Sequence, residues 1–287
     1  MNAAKALLLS SRPLSWVNTA FPFAAAYYLV TREADLTLLI GTAYFLVPYN
    51  LAMYGINDVY DYESDLRNPR KGGVEGAVLP RRLHRLTLAA AILSNVPFLI
   101  ALVLLGSAAS WVILAASVCA VVAYSVPRLR FKERPVLDSV TSSIHFVSPA
   151  VYGLVLAGAA WTPALAASMA AYFLWGVASH AFGAVQDITA DREAGIGSVA
   201  TAFGAAATVR LAAVGYLVAS ALLLTLPWPG LAAAALALPY AANVLPFWSL
   251  RDERAETANA GWRRFLRLNF VTGFLLTLLL IWIALTR

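Results

Sequence analysis

Two short acidic patterns in the sequence have the residue types and spacing for chemistry. The first reads Asn57-Asp58-Val59-Tyr60-Asp61-Tyr62-Glu63-Ser64-Asp65, with Asp58, Asp61 and Asp65 at i, i+3 and i+7. On a helix this spacing predicts three carboxylates on one face. Like charges on one face repel, and a divalent cation resolves the repulsion. Carboxylates and the Asn57 carbonyl are hard oxygen donors that suit Mg²⁺, an ion usually held by few carboxylates together with substrate phosphates. The second pattern is Gln186-Asp187-Ile188-Thr189-Ala190-Asp191, where Asp187 and Asp191 stand at i and i+4. An isolated D-x-x-D is often only a solvated helix end. Acidic groups beside long apolar stretches mark a site by default.

Two such clusters facing each other would hold more than one Mg²⁺ around a diphosphate, neutralising the leaving group as a carbon–oxygen bond breaks. Basic residues should complete that site. Arg70 and Lys71 follow the first cluster, and Tyr124-Ser125-Val126-Pro127-Arg128-Leu129-Arg130-Phe131-Lys132 supplies Arg128 and Lys132. Arg binds phosphate in a bidentate fork and Lys as a point charge. His180 lies seven residues, about two helical turns, before Asp187 and would share its face; it is a candidate base. Arg12 opens the first apolar stretch and would serve the diphosphate or an acceptor carboxylate.

These groups need elements that position them, and composition says what kind. The 287 residues are 61% hydrophobic and 13% charged, with a mean hydropathy of +0.72. Soluble domains are nearer a quarter charged, so an all-α membrane protein is expected. The single Cys119 excludes a disulfide framework within the chain. Nine stretches approach the roughly 20 apolar residues of a bilayer span: near 14–31, 36–55, 86–106, 109–126, 139–157, 163–183, 207–226, 229–247 and 267–285. With the N-terminus in the cytoplasm and the C-terminus outside, only Arg32 and Arg287 of the 21 Lys and Arg fall on the outer side. That matches the positive-inside rule and accounts for the basic charge without nucleic acid. Both acidic clusters then sit at the cytoplasmic ends of spans two and six. The repeated layout of helix, acidic end and polar loop reads as one domain over 1–287 with an internal pseudo-repeat.

Together these residues resemble the UbiA superfamily of intramembrane prenyltransferases. Asn57, Asp58, Asp61 and Asp65 match its N-D-x-x-D-x-x-x-D pattern, and Asp187, Asp191 and Gly195 match D-x-x-x-D-x-x-x-G. Tyr124 to Lys132 is similar to the family's Y-S-x-P…K loop, and Ser11-Arg12-Pro13 to its first-helix opening. The resemblance implies nine helices around a central cavity, cytoplasmic loops over the acidic sites and a side opening toward lipid. Tyr124, Ser125, Lys132 and Arg12 are its implied substrate-binding residues, beside Asn57, Arg70, Lys71, Arg128 and His180 from the residues themselves. The chain departs from many aromatic-acceptor members in carrying Arg70-Lys71-Gly72-Gly73 where they carry Arg-Pro-Leu. The wording around both motifs is similar to bacterial lycopene elongases, which implies C5 transfer from dimethylallyl diphosphate to a carotenoid end.

That resemblance places the protein in a bacterial inner membrane, with an apolar polyene acceptor and a carotenoid cyclase as a partner. In the expected reaction an allylic cation forms, the polyene's terminal alkene attacks it, and the new cation loses a proton or captures water. Tyr54, Tyr60, Phe146, Tyr152, Phe173, Trp175 and Phe182 are candidates to steady a cation through their π faces, although Trp and Tyr are common at membrane interfaces and Phe in spans. An aromatic acceptor is the rival within the same class. A transporter is the rival outside it, but transporter acids usually lie near the midplane at broken helices.

Overall fold

In a bilayer core every backbone polar group must find its partner inside the chain, which leaves apolar stretches only the helix or the closed barrel. All regular elements among the described residues of the computed structural model are helical. The structure describes residues 2–66 and 78–286, with the side chains of Ser64 and Asp65 outside the description. The chain divides into two compact units, Met1–Arg130 with His145–Ala159, and Phe131–Ile144 with Ala160–Arg287.

The first unit contains α1 (Ala3–Ser10), α2 (Val17–Thr31), α3 (Leu36–Leu46), α4 (Pro48–Tyr60), α5 (Tyr62–Asp65), α6 (His84–Leu105) and α7 (Ala108–Ser125). The second half of α8 (Leu137–Leu156) also belongs to it. Its core is aromatic: Phe23, Tyr44, Phe45, Tyr49 and Tyr152 are all buried. Phe23 reaches this position because Gly41 leaves room; a Cβ there would sit 2.0 Å from the ring. Pro48 has no N–H to continue a helix, and α3 gives way to α4 at Val47. Asn50 repairs the break. Its amide donates to the carbonyls of Phe45 (2.8 Å) and Leu46 (3.1 Å) and to the Thr19 hydroxyl (2.7 Å). Asn95 donates to Pro48 O at 2.7 Å. Leu36–Tyr60 therefore crosses as one 25-residue span and delivers the first acidic cluster at its end.

The second unit holds the first half of α8 with α9 (Pro163–Val185), α10 (Ile188–Ala194), α11 (Val199–Phe203), α12 (Ala205–Leu223), α13 (Ala234–Val244) and α14 (Asn259–Thr286). Small residues bring α9 and α12 together: Ala178, Ala212, Ala213 and Ala219 are buried, as expected where lipid removes the hydrophobic incentive and close packing must replace it. Tyr216, Tyr240, Phe182 and Phe265 fill the rest of this core. Tyr216 satisfies its hydroxyl on Ser179 at 3.1 Å.

Eight helical segments among the described residues are long and apolar enough to cross a bilayer. The remaining stretch, expected near 14–31, folds as a 3₁₀ turn at Pro13–Ser15 followed by the 15-residue α2. That is about 22 Å of rise. Large apolar side chains point outward from the spans, with Leu93 72%, Leu104 79% and Phe270 78% exposed. Lipid is the solvent that suits them.

Candidate functional site

The first acidic cluster is built at a helix end that electrostatics alone would disfavour. α4 stops at Tyr60, and Asp61 caps it with φ −98° and ψ 2°. The three aspartates therefore do not continue along one straight helix. Asp58 lies on α4, Asp61 at its end and Asp65 on the following turn, α5; the Asp65 side chain is outside the description. Carboxylates at a helix C-terminus oppose the macrodipole, which gives the break a physical reason. Asp58 is fully buried and Asp61 is 9% exposed. Buried charges must be compensated, and two arginines do so. Arg12 Nη2 donates to Asp58 Oδ1 at 3.3 Å, with its guanidinium 4.3 Å from the centre of the Tyr54 ring. Arg130 Nη2 lies 3.6 Å from Asp61 Oδ1. Asn57 donates its amide to the buried Ser125 hydroxyl at 3.1 Å, which presents its carbonyl oxygen as the acceptor end.

Arg12, Arg128 and Arg130 all have left-handed backbone, at φ 50°, 76° and 39°. Such conformations cost about 1–3 kcal/mol each and gather at functional sites. Arg128 is exposed and Lys132 half-buried. Tyr124 is half-buried, its ring edge-on to His145 at 5.1 Å. Arg70 and Lys71 lie outside the described residues. Tyr152 and Phe182 are core residues, and Tyr54 is covered by Arg12.

The second cluster sits on a separate short helix. α9 ends at Val185, and Asp187 precedes α10. Asp191 N donates to Asp187 O at 2.8 Å, so the pair shares one turn. Both side chains are half-buried. His180 lies on α9, its Nδ1 3.2 Å from the Ser139 hydroxyl, and the charges of Asp138 and Asp187 both act on it. Gln186 accepts from Asn259 at 2.6 Å and donates to Gly183 O at 3.0 Å.

Asp138 and Asp252, beside these clusters, escape the sequence reading, and Arg130, read there only as part of the basic loop, lies against Asp61. Asp138 is fully buried and accepts from Ser139 N at 2.7 Å and Val199 N at 2.8 Å. It thereby ties the start of α8 to the N-terminus of α11, ends where negative charge is favoured. Nothing in its local spacing signals this, because Val199 is 61 residues away. Asp138→Ala leaves two buried N–H groups without an acceptor and should cost about 3 kcal/mol. Thermal unfolding in detergent should show a clear fall in midpoint, with Asp138→Asn falling less.

No group of three or more His, Cys, Asp or Glu that could hold a metal occurs among the described residues. Each cluster instead offers two described carboxylates on hard-oxygen terms, with arginines close to the first. That donor set fits Mg²⁺ that arrives with a diphosphate, since Mg²⁺ takes one or two carboxylates plus phosphate oxygens and water.

Comparisons with known proteins agree with this architecture. The UbiA prenyltransferase family model matches residues 19–271. A C(50) beta-cyclic carotenoids biosynthesis protein, LbtBC, from Dietzia sp. is 57% identical over 96% of this chain. The chain spans only 64% of that relative's length. A lycopene elongase/hydratase from Corynebacterium glutamicum is 50% identical over 98% of both chains. Among solved structures, a UbiA homolog from Archaeoglobus fulgidus bound to DMAPP and Mg²⁺ shares the fold with a TM-score of 0.68 and 19% identity, covering 93% of this chain and 98% of that one.

Proposed function

The chain belongs to the UbiA prenyltransferase family, and on that premise we propose that it transfers a dimethylallyl (C5) group from its diphosphate to the end of lycopene or a related carotenoid. C45 and C50 carotenoids are the products. The observation that carries this reading is the 50% and 57% identity, over nearly the whole chain, to relatives named for lycopene elongation and C50 carotenoid synthesis.

Asp58, Asp61, Asp65, Asp187 and Asp191, with the Asn57 carbonyl, are the ligands we assign to Mg²⁺. When bound, that metal supplies charge neutralisation at the departing diphosphate. Ser125 accepts from the Asn57 amide, which leaves the carbonyl oxygen as the end we assign to the metal. Arg12, Arg70, Lys71, Arg128 and Lys132 take phosphate oxygens, and Arg130, already beside Asp61, joins them. Tyr124 lines the same loop. As the allylic carbon–oxygen bond breaks, its electron pair leaves with the diphosphate. The terminal alkene of the polyene then forms the new carbon–carbon bond. The resulting cation either loses a proton, with His180 as the candidate acceptor, or captures water and releases a proton to it.

The protein is an integral membrane protein. We place it in a bacterial inner membrane with α2 as the first of nine crossings, the N-terminus and both clusters on the cytoplasmic side. The carotenoid product implies a cyclase as its downstream partner. Membranes containing the protein, supplied with lycopene, dimethylallyl diphosphate and Mg²⁺, should yield pigments one and two C5 units heavier. Unchanged lycopene under the same conditions contradicts the reading.

A further inference from the structure

Arg192 follows Asp191 directly, yet its side chain turns away toward other segments. Its Nη2 lies 2.8 Å from Asp252 Oδ2 and donates to Thr201 O at 3.0 Å. The other Asp252 oxygen, Oδ1, accepts from Ala205 N at 2.7 Å, the first N–H of α12. One guanidinium nitrogen and one carboxylate thus join four pieces of the second unit: α10, α11, the start of α12 and the 3₁₀ segment Asp252–Ala258. The chain is shaped to admit this carboxylate. Gly204 has φ +80°, and a Cβ on it would lie 3.1 Å from Asp252 Oδ1 and 3.3 Å from Oδ2. At the other end, Gly195 closes α10 with φ +69°, so the helix carrying Asp191 is short, with Ile188 as its one buried side chain.

We propose that Asp252, acting through Arg192, is a positioning residue that sets the orientation of α10 and thereby aims Asp187 and Asp191. The inference rests on the reading of these two aspartates as Mg²⁺ ligands for a diphosphate. Arg192 is 46% and Asp252 32% exposed at the side chain. An ion pair that wet contributes little to stability, so its role is geometric. It stands to the acidic motif as hydrogen-bonded partners stand to metal ligands elsewhere, where their loss typically weakens metal affinity 10–100-fold. The sequence hides the link because Asp252 sits in a charged loop whose arginines also satisfy the topology rule.

Mn²⁺ binding to the purified protein in detergent, followed by electron paramagnetic resonance with inorganic diphosphate present, tests the proposal without turnover. Asp252→Asn keeps an acceptor for Ala205 N but loses the charge facing Arg192. Asp252→Asn and Arg192→Gln should each raise the half-saturating Mn²⁺ about tenfold, with thermal midpoints close to that of the parent protein. Two changes acting through one contact are not additive, so the double variant should remain near about tenfold rather than about a hundredfold. Arg192→Lys, which keeps the charge, should recover part of the loss.

Variants that bind Mn²⁺ like the parent overturn the proposal. Additive losses in the double variant also overturn it. So does weakened binding that only tracks a lowered melting midpoint, since that outcome is plain destabilisation. Failure of the parent protein to bind Mn²⁺ with diphosphate is a different result: it removes the assignment of the aspartates, and the inference falls with it.

Discussion

Asp61→Asn and Asp187→Ala should each reduce prenyl transfer by about a thousandfold or more, the scale expected when a group that stabilises developing charge is lost. Both proteins should stay folded. For Asp61 the structure makes a sharper statement. Asp61 is a nearly buried carboxylate at the C-terminal end of α4, three residues after the fully buried Asp58. It opposes the helix dipole and repels its neighbour. Removing its charge relieves both terms, while Arg130, 31% exposed at the side chain, can turn to water. The thermal midpoint of Asp61→Asn without substrate should therefore equal or exceed that of the parent. Loss of activity with retained or raised stability is the pattern of a residue kept for function at a structural cost. Asp187 makes no side-chain cap to α10, so its removal costs that helix no capping bond. Activity within tenfold of the parent in either variant rules out the metal assignment.

Chelation should be as severe. Removal of divalent ions with EDTA should take turnover to background, and excess Mg²⁺ should restore it. The habit of Mg²⁺ of sharing few carboxylates with phosphate oxygens adds a quantitative expectation. An ion held by one or two carboxylates of a cluster keeps positions open for phosphate oxygens. Metal and diphosphate should then bind cooperatively. Inorganic diphosphate should tighten Mn²⁺ binding by about tenfold or more, and Mn²⁺ should tighten diphosphate binding by the same factor, because such coupling is reciprocal. Isothermal titration in both orders measures it. Tight Mn²⁺ binding without diphosphate contradicts the shared-ion account.

The sequence made much of this legible, for reasons that differ between residues. Long apolar runs announce spans because lipid permits few alternatives, and eight of the nine stretches appear as crossing helices among the described residues. The stretch at 14–31 shows the weakness of that reading. Hydropathy counts apolar residues but does not see Arg12 turn into a left-handed conformation and Pro13 start a 3₁₀ turn, which leave α2 only 15 residues long. The i, i+3, i+7 spacing assumed one continuous helix, whereas α4 ends before Asp61. Spacing could name Asp58, Asp61, Asp187 and Asp191 as candidates because they are local in the chain. It could not name Arg130 as the partner of Asp61, Asp138 as the acceptor for Val199, or Asp252 as the partner of Arg192. Those contacts join residues roughly 60 to 70 positions apart and exist only once the helices are packed.

The central claim is the transfer of C5 units to a carotenoid end, and the pigments of a host that accumulates lycopene measure it most directly. Expression of the parent chain in such a host, with Asp187→Ala alongside it, followed by mass analysis of the extracted pigments, should show products heavier by one and two C5 units, with or without added hydroxyl groups, in the parent alone. Lycopene unchanged in both cultures, with the protein present in the membrane, would contradict it.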